Sequence, residues 1–224
     1  MPVAALVAGA AGAILGFLGD RLAARWPEHD VDPEHRVAAV RRSDTVRRSD
    51  RRTALVAAAG ALAFAALGAR WSEPRDLLVL GIYFAALIVL LATDLDQKHL
   101  PDLITFPLMA YSLAVLLLGW VPLLDGKSLG LVSGLAAGLG APVFLFISDR
   151  VLGGGLGIGD LKLAVSLGLM SGVSGLFAGF LVASALSSVV LLALIGIRRI
   201  GLRSAIPFGP VLIAAGMIAA LLPA

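Results

Sequence analysis

Eight apolar runs, at residues 3–19, 54–69, 77–93, 103–124, 129–147, 161–172, 173–197 and 206–222, are set off from one another by charges and by Pro/Gly clusters. Several fall short of the ~20 residues with which an untilted helix crosses ~30 Å of hydrocarbon. The pattern predicts about eight crossings, with seven as the alternative count. Composition agrees: 59% of the 224 residues are hydrophobic and 15% charged, against about 45–50% and about 25% in soluble domains. A soluble globule of this size could not cover that much apolar surface. The chain therefore reads as an all-α, polytopic integral membrane protein, with the lipid bilayer as its main partner. It holds no cysteine, which excludes disulfides, thiol catalysis and Cys-ligated metal.

The basic residues orient the chain. With the N-terminus outside, the inner connections hold Arg21, Arg25, Arg36, Arg41, Arg42, Arg47, Arg48, Arg51, Arg52, Lys98, Arg150, Lys162, Arg198, Arg199 and Arg203, and the outer ones only Arg70, Arg75 and Lys127. Fifteen against three, read from the same sequence, puts both termini outside by the positive-inside rule. Trp71 and Trp120 then fall at outer ends and Trp26 at an inner one. No Lys or Arg precedes the first run, so it is read as a retained helix and not a secretory signal.

The one long hydrophilic stretch, 20–53, has nine Arg, seven Asp/Glu and a short repeat, Val-Arg-Arg-Ser-Asp at 40–44 and 46–50. It is read first as a solvated cytoplasmic loop that fixes topology. Contact of its Arg pairs with anionic headgroups is the second reading. Nucleic acid is not an expected partner, because acids interleave and no aromatic residue lies beyond Trp26.

Eight acids remain outside this stretch. Glu73, Asp76 and Asp125 fall in short outer loops, where solvation accounts for them. Asp94, Asp96 and Asp102 follow an apolar run on the inner side, and Asp94, at or just inside the helix end, is expected to be the least hydrated. Pro101 suits the first turn of the next helix, where Asp102 would complement the dipole. Asp96, two residues from Asp94, points to another side of a continuing helix. In the second cluster, five glycines in seven positions (153–159) precede Asp160 and Lys162. They deny the segment a stable helix and let its backbone approach another chain closely. The run after Asp160 is too short to cross, which draws Asp160 below the membrane surface. A phosphate loop is disfavoured, because the Walker spacing is absent.

Topology puts Asp94 and Asp160 on the same side. Two carboxylates in a low-dielectric cavity share a proton. One then serves as general base on a water while the other, protonated, hydrogen-bonds the carbonyl under attack. His29, His35 and His99 show no metal-ligand spacing, so aspartyl peptide hydrolysis without metal or cofactor is the reaction this inventory supports.

At these residues the sequence resembles the type IV prepilin (leader) peptidases, membrane aspartyl proteases named for a Gly-x-Gly-Asp motif. The likeness rests on Asp94-Leu-Asp96-Gln-Lys-His-Leu-Pro101-Asp102 with the following Leu-Ile-Thr-Phe-Pro, and on Gly157-Ile-Gly159-Asp160-Leu-Lys162-Leu. Ile206-Pro207-Phe208-Gly209-Pro210 is similar to another family stretch, and residues 16–27 resemble the family's first helix end. The resemblance implies Asp94 and Asp160 as the catalytic pair, with Gly157, Gly159, Lys162, Asp96, Pro101 and Asp102 as supporting motif residues. It implies removal of the leader from a prepilin-like precursor, after a glycine and before a hydrophobic helix, at the cytoplasmic face of the cell membrane. Many members also methylate the new terminus and carry four zinc-type cysteines after the first helix; the loop at 28–52 has none. The resemblance thus carries the peptidase and not the methyltransferase. The expected layout is a first transmembrane helix at 1–19, an arginine-rich cytoplasmic loop at 20–53, and a membrane-embedded peptidase region at 54–224. Two readings compete: an ion-coupled transporter, which would want matched helix breaks in two halves of the chain, and a transferase holding Mg²⁺ on Asp94, Asp96 and Asp102.

Overall fold

A computed structural model describes residues 2–25, 50–124, 127–152, 156–196 and 208–222. Within them the chain forms seven helices: α1 (Pro2–Ala23), α2 (Arg51–Arg70), α3 (Pro74–Gln97), α4 (Asp102–Leu117), α5 (Lys127–Leu152), α6 (Ile158–Gly196) and α7 (Gly209–Leu221). Five contain segments long and apolar enough to cross a membrane, namely Val3–Ala23, Arg51–Arg70, Pro74–Gln97, Leu129–Val151 and Ile158–Ala193. α4 and α7 are shorter, about 24 and 20 Å at 1.5 Å per residue. The arginine-rich repeat, Asp125, Gly153, Gly154, Gly155, the basic residues at 198–203, and Ile206-Pro207 lie outside the described residues.

α3 is the central helix and packs on α1, α2, α4 and α7. Its Leu80, Tyr83, Phe84, Leu87 and Ile88 are fully buried, and Phe84 meets Phe64 of α2 edge-on at 6.1 Å. Large apolar side chains on the outer helices, among them Leu6, Leu62, Leu129 and Leu139, are exposed. Such faces are stable only against lipid. α1 and α2 touch backbone to backbone, since a Cβ on Gly12 would stand 2.1 Å from the Gly60 carbonyl oxygen. Small residues permit this approach where lipid offers no hydrophobic drive to associate.

Two sequence boundaries shift. α1 continues past residue 19 to Ala23, and α2 begins at Arg51, so Asp20, Arg51, Arg52 and Thr53 are helical and not part of a loop. A hydropathy boundary stops at the first charge, whereas the helix continues because these charges pair with one another. Asp76 is likewise not in a solvated loop. It lies in the first turn of α3, 8% exposed, beside the Arg75 guanidinium at 3.3 Å, where a carboxylate complements the dipole.

α6 breaks at Gly172, the residue that separates the apolar runs 161–172 and 173–197, with φ of 64°. The Ser133 hydroxyl of α5 accepts the Val173 N–H at 3.0 Å and starts the second limb. At the end of the molecule away from Asp94, the Trp71 indole donates to the Ala220 carbonyl at 2.9 Å, joining α2 to the last turn of α7.

Candidate active site

Asp94 sits in the last turn of α3. Its carbonyl accepts the Lys98 N–H at 2.8 Å, and Lys98 takes a left-handed conformation (φ 51°) that stops the helix. The chain then passes through buried Leu100 to Pro101, which precedes the first turn of α4. This stop places the Asp94 carboxylate inside the helix bundle at 6% exposure, with Oδ2 buried and without a hydrogen-bond partner among the described residues.

Asp160 occupies the first turn of α6, half-buried, its N–H bonded to the Gly157 carbonyl at 3.0 Å. A Cβ on Gly157 would lie 3.5 Å from Asp160 Oδ2. Asp94 and Asp160, sixty-six positions apart in sequence, thus lie on helix ends that the fold sets side by side.

The two motif segments meet directly. A Cβ on Gly159 would come within 2.8 Å of Leu100 Cβ, so the start of α6 lies flush on the turn between Asp94 and Asp102. Beside this contact the Lys162 ammonium donates to Asp102 Oδ1 at 2.6 Å and stands 4.5 Å over the Phe106 ring. Lys162 therefore ties α6 to α4. Asp149, near the end of α5, accepts the Leu156 N–H at 2.8 Å and closes the connection into α6.

Asp96 faces a different neighbour. Arg52 bridges it to Asp20: the guanidinium pairs with Asp96 Oδ1 and, through Nε, with Asp20 Oδ1 at 2.9 Å. Asp20 is fully buried and also accepts the Thr53 hydroxyl at 2.7 Å. This ionic knot joins the ends of α1, α2 and α3 two residues from Asp94. Sequence reasoning placed Asp20 and Arg52 in a solvated loop and missed it, because nothing distinguishes Arg52 from its eight companion arginines until α1 and α2 are folded together.

Gly209, the first residue of α7, also belongs to the site. A Cβ there would lie 2.7 Å from Asp94 Oδ2. Among the described residues no cluster of three or more His, Cys, Asp or Glu side chains could hold a metal. Two carboxylates thus stand at neighbouring helix ends, one buried and one half-buried.

A helical membrane bundle with paired carboxylates at one end is the class these features define. The model of the type IV leader peptidase family matches residues 81–197, which covers both aspartates, and the chain belongs to that family. It is 34% identical over 153 residues to the prepilin leader peptidase/N-methyltransferase of Pseudomonas putida, covering 68% of this chain and 52% of the relative. The protein of the same description from Aeromonas salmonicida is 38% identical over 138 residues, 60% and 46% of the two chains. That from Bacillus subtilis is 32% identical over 159 residues, 71% and 61%. The chain spans about half the length of most of the curated relatives it matches. No solved structure matches.

Proposed function

We propose that this protein is a membrane aspartyl endopeptidase that removes the leader from prepilin-like precursors, with Asp94 and Asp160 sharing one proton. The ionised member takes a proton from water as it attacks the scissile carbonyl, while the protonated member hydrogen-bonds the developing oxyanion; the first member then passes the proton it took to the leaving amine, and the dyad again holds one proton. The observation that supports this reading is the Leu100–Gly159 contact, which sets the start of α6, with Asp160, on the turn that follows Asp94. No metal or cofactor enters the step. The relatives' description as peptidase/N-methyltransferase supports the substrate class, while the sequence at 28–52, without cysteine, supports a peptidase lacking the methyltransferase.

The protein spans the cell membrane about eight times with both termini outside and the site on the cytoplasmic face. The layout is a first helix, an arginine-rich cytoplasmic stretch and a membrane-embedded peptidase region. Support comes from charge: Arg21, Arg25, Arg51, Arg52, Lys98, Arg150 and Lys162 lie towards the Asp94 end, and Arg70 and Arg75 towards the other.

The test is co-expression with a prepilin-like precursor whose leader ends in glycine before a hydrophobic helix. Mass spectrometry then reads leader removal and methylation of the new terminus. Asp94→Asn and Asp160→Asn each abolish cleavage at unchanged protein level and membrane insertion, and Asp96→Asn and Asp102→Asn reduce it less. Normal processing by both dyad variants would sink the proposal.

A further inference from the structure

We infer that Gly209, at the start of α7, is a positioning residue for Asp94: lacking a side chain, it lets α7 close directly on the carboxylate and fixes which way that carboxylate faces. The inference rests on the reading of Asp94 as a member of the dyad. A Cβ at 209 would stand 2.7 Å from Oδ2, 2.8 Å from Cγ and 3.0 Å from Oδ1, so the glycine hydrogen at that position points at the whole carboxylate group. Oδ2 is buried with no hydrogen-bond partner among the described residues. Packing against α7, and not a hydrogen bond, is therefore what confines that oxygen.

Either α7 or Asp94 must yield to any side chain placed at 209. α7 is held in three places. Phe208 packs on Phe180 at 6.2 Å between ring centroids. Gly216 is flush with its neighbours, since a Cβ there would lie 2.4 Å from Leu167 Cδ2 and 2.8 Å from the Tyr83 hydroxyl. Near the far end, the Ala220 carbonyl holds the Trp71 indole. Asp94, a short side chain with rotatable bonds, is the softer partner. A methyl group at 209 turns it away from Asp160, and a displacement of about 1 Å in a reacting group costs on the order of 100-fold in rate.

The experiment compares Gly209→Ala, Gly216→Ala and Asp94→Asn in membranes, with the same prepilin-like precursor. Gly209→Ala lowers kcat by about 100-fold with KM within about threefold, while Gly216→Ala, which disturbs the same helix away from the carboxylate, keeps kcat within about tenfold. An equal kcat loss in Gly216→Ala would show that the effect is the seating of α7 and overturn the inference. So would an active Gly209→Ala beside an inactive Asp94→Asn. Cleavage by Asp94→Asn would instead refute the dyad reading itself. A second measurement needs no activity. The chain has no cysteine of its own, and the double variant Asp94→Cys, Gly209→Cys places two thiols at disulfide range. Mild oxidation gives the intramolecular disulfide, read by mass spectrometry; its absence in folded protein would refute the contact.

Discussion

Arg52 holds together two carboxylates that would otherwise repel each other at the base of α1 and α3. Because Asp20 is fully buried, removing the guanidinium leaves a charge without a counterion in a site that water does not reach. Breaking one side of such a buried pair costs about 3–5 kcal/mol. Arg52→Ala is therefore expected to lower the melting temperature in detergent below that of Thr53→Val, which removes the hydroxyl's bonds to Asp20 and to the Asp50 N–H, each worth about 1 kcal/mol. Equal melting temperatures for the two variants would show that the guanidinium adds nothing beyond the hydroxyl. Individual residues were legible in the sequence only where chemistry narrowed them. Asp94 and Asp160 stand out because an acid at a membrane edge needs a reason, whereas Asp20 was hidden by its place at the start of a charged stretch. Gly209 lay in a quoted motif, but its role is steric and depends on which atom faces it.

At the scale of elements, the hydropathy pattern located the helices well and their ends poorly, because charged residues that pair across helices extend a helix beyond its apolar run. The clearest boundary is the break in α6. Gly172 has φ of 64°, and a Cβ there would lie 2.6 Å from Leu124 Cδ2 and 2.7 Å from the Ser133 hydroxyl. Gly172→Ala combines backbone strain of about 1–3 kcal/mol, at a conformation essentially only glycine adopts, with overpacking of about 1–3 kcal/mol. The expected outcome is a lowered melting temperature and poorer accumulation, while Gly81→Ala, whose Cβ would meet no atom within 4 Å, leaves both unchanged. Lys162→Met should loosen the junction of α6 with α4 while retaining bulk against Phe106. A moderate fall in cleavage, smaller than that of either dyad variant, is the expected readout, and full activity would show that the pair with Asp102 is dispensable.

Across the whole molecule, most of the described basic residues gather at the end that carries Asp94. Alkaline phosphatase fused to either terminus is expected to be active, since both termini are assigned outside; an inactive fusion at one end would remove one crossing from the proposed topology. Chelator leaves cleavage unchanged if water is activated by carboxylates alone, whereas loss with EDTA and recovery with Mg²⁺ would favour the transferase reading. The flush contact of Leu100 with Gly159, together with the Lys162–Asp102 pair, has a consequence for how the chain can be cut. The two aspartates are joined more closely by this seam than by the long stretch of backbone between them. Covalent continuity between the halves is then dispensable once they have met, and fragments 1–125 and 126–224 produced as separate polypeptides should find each other in the bilayer and restore a working pair.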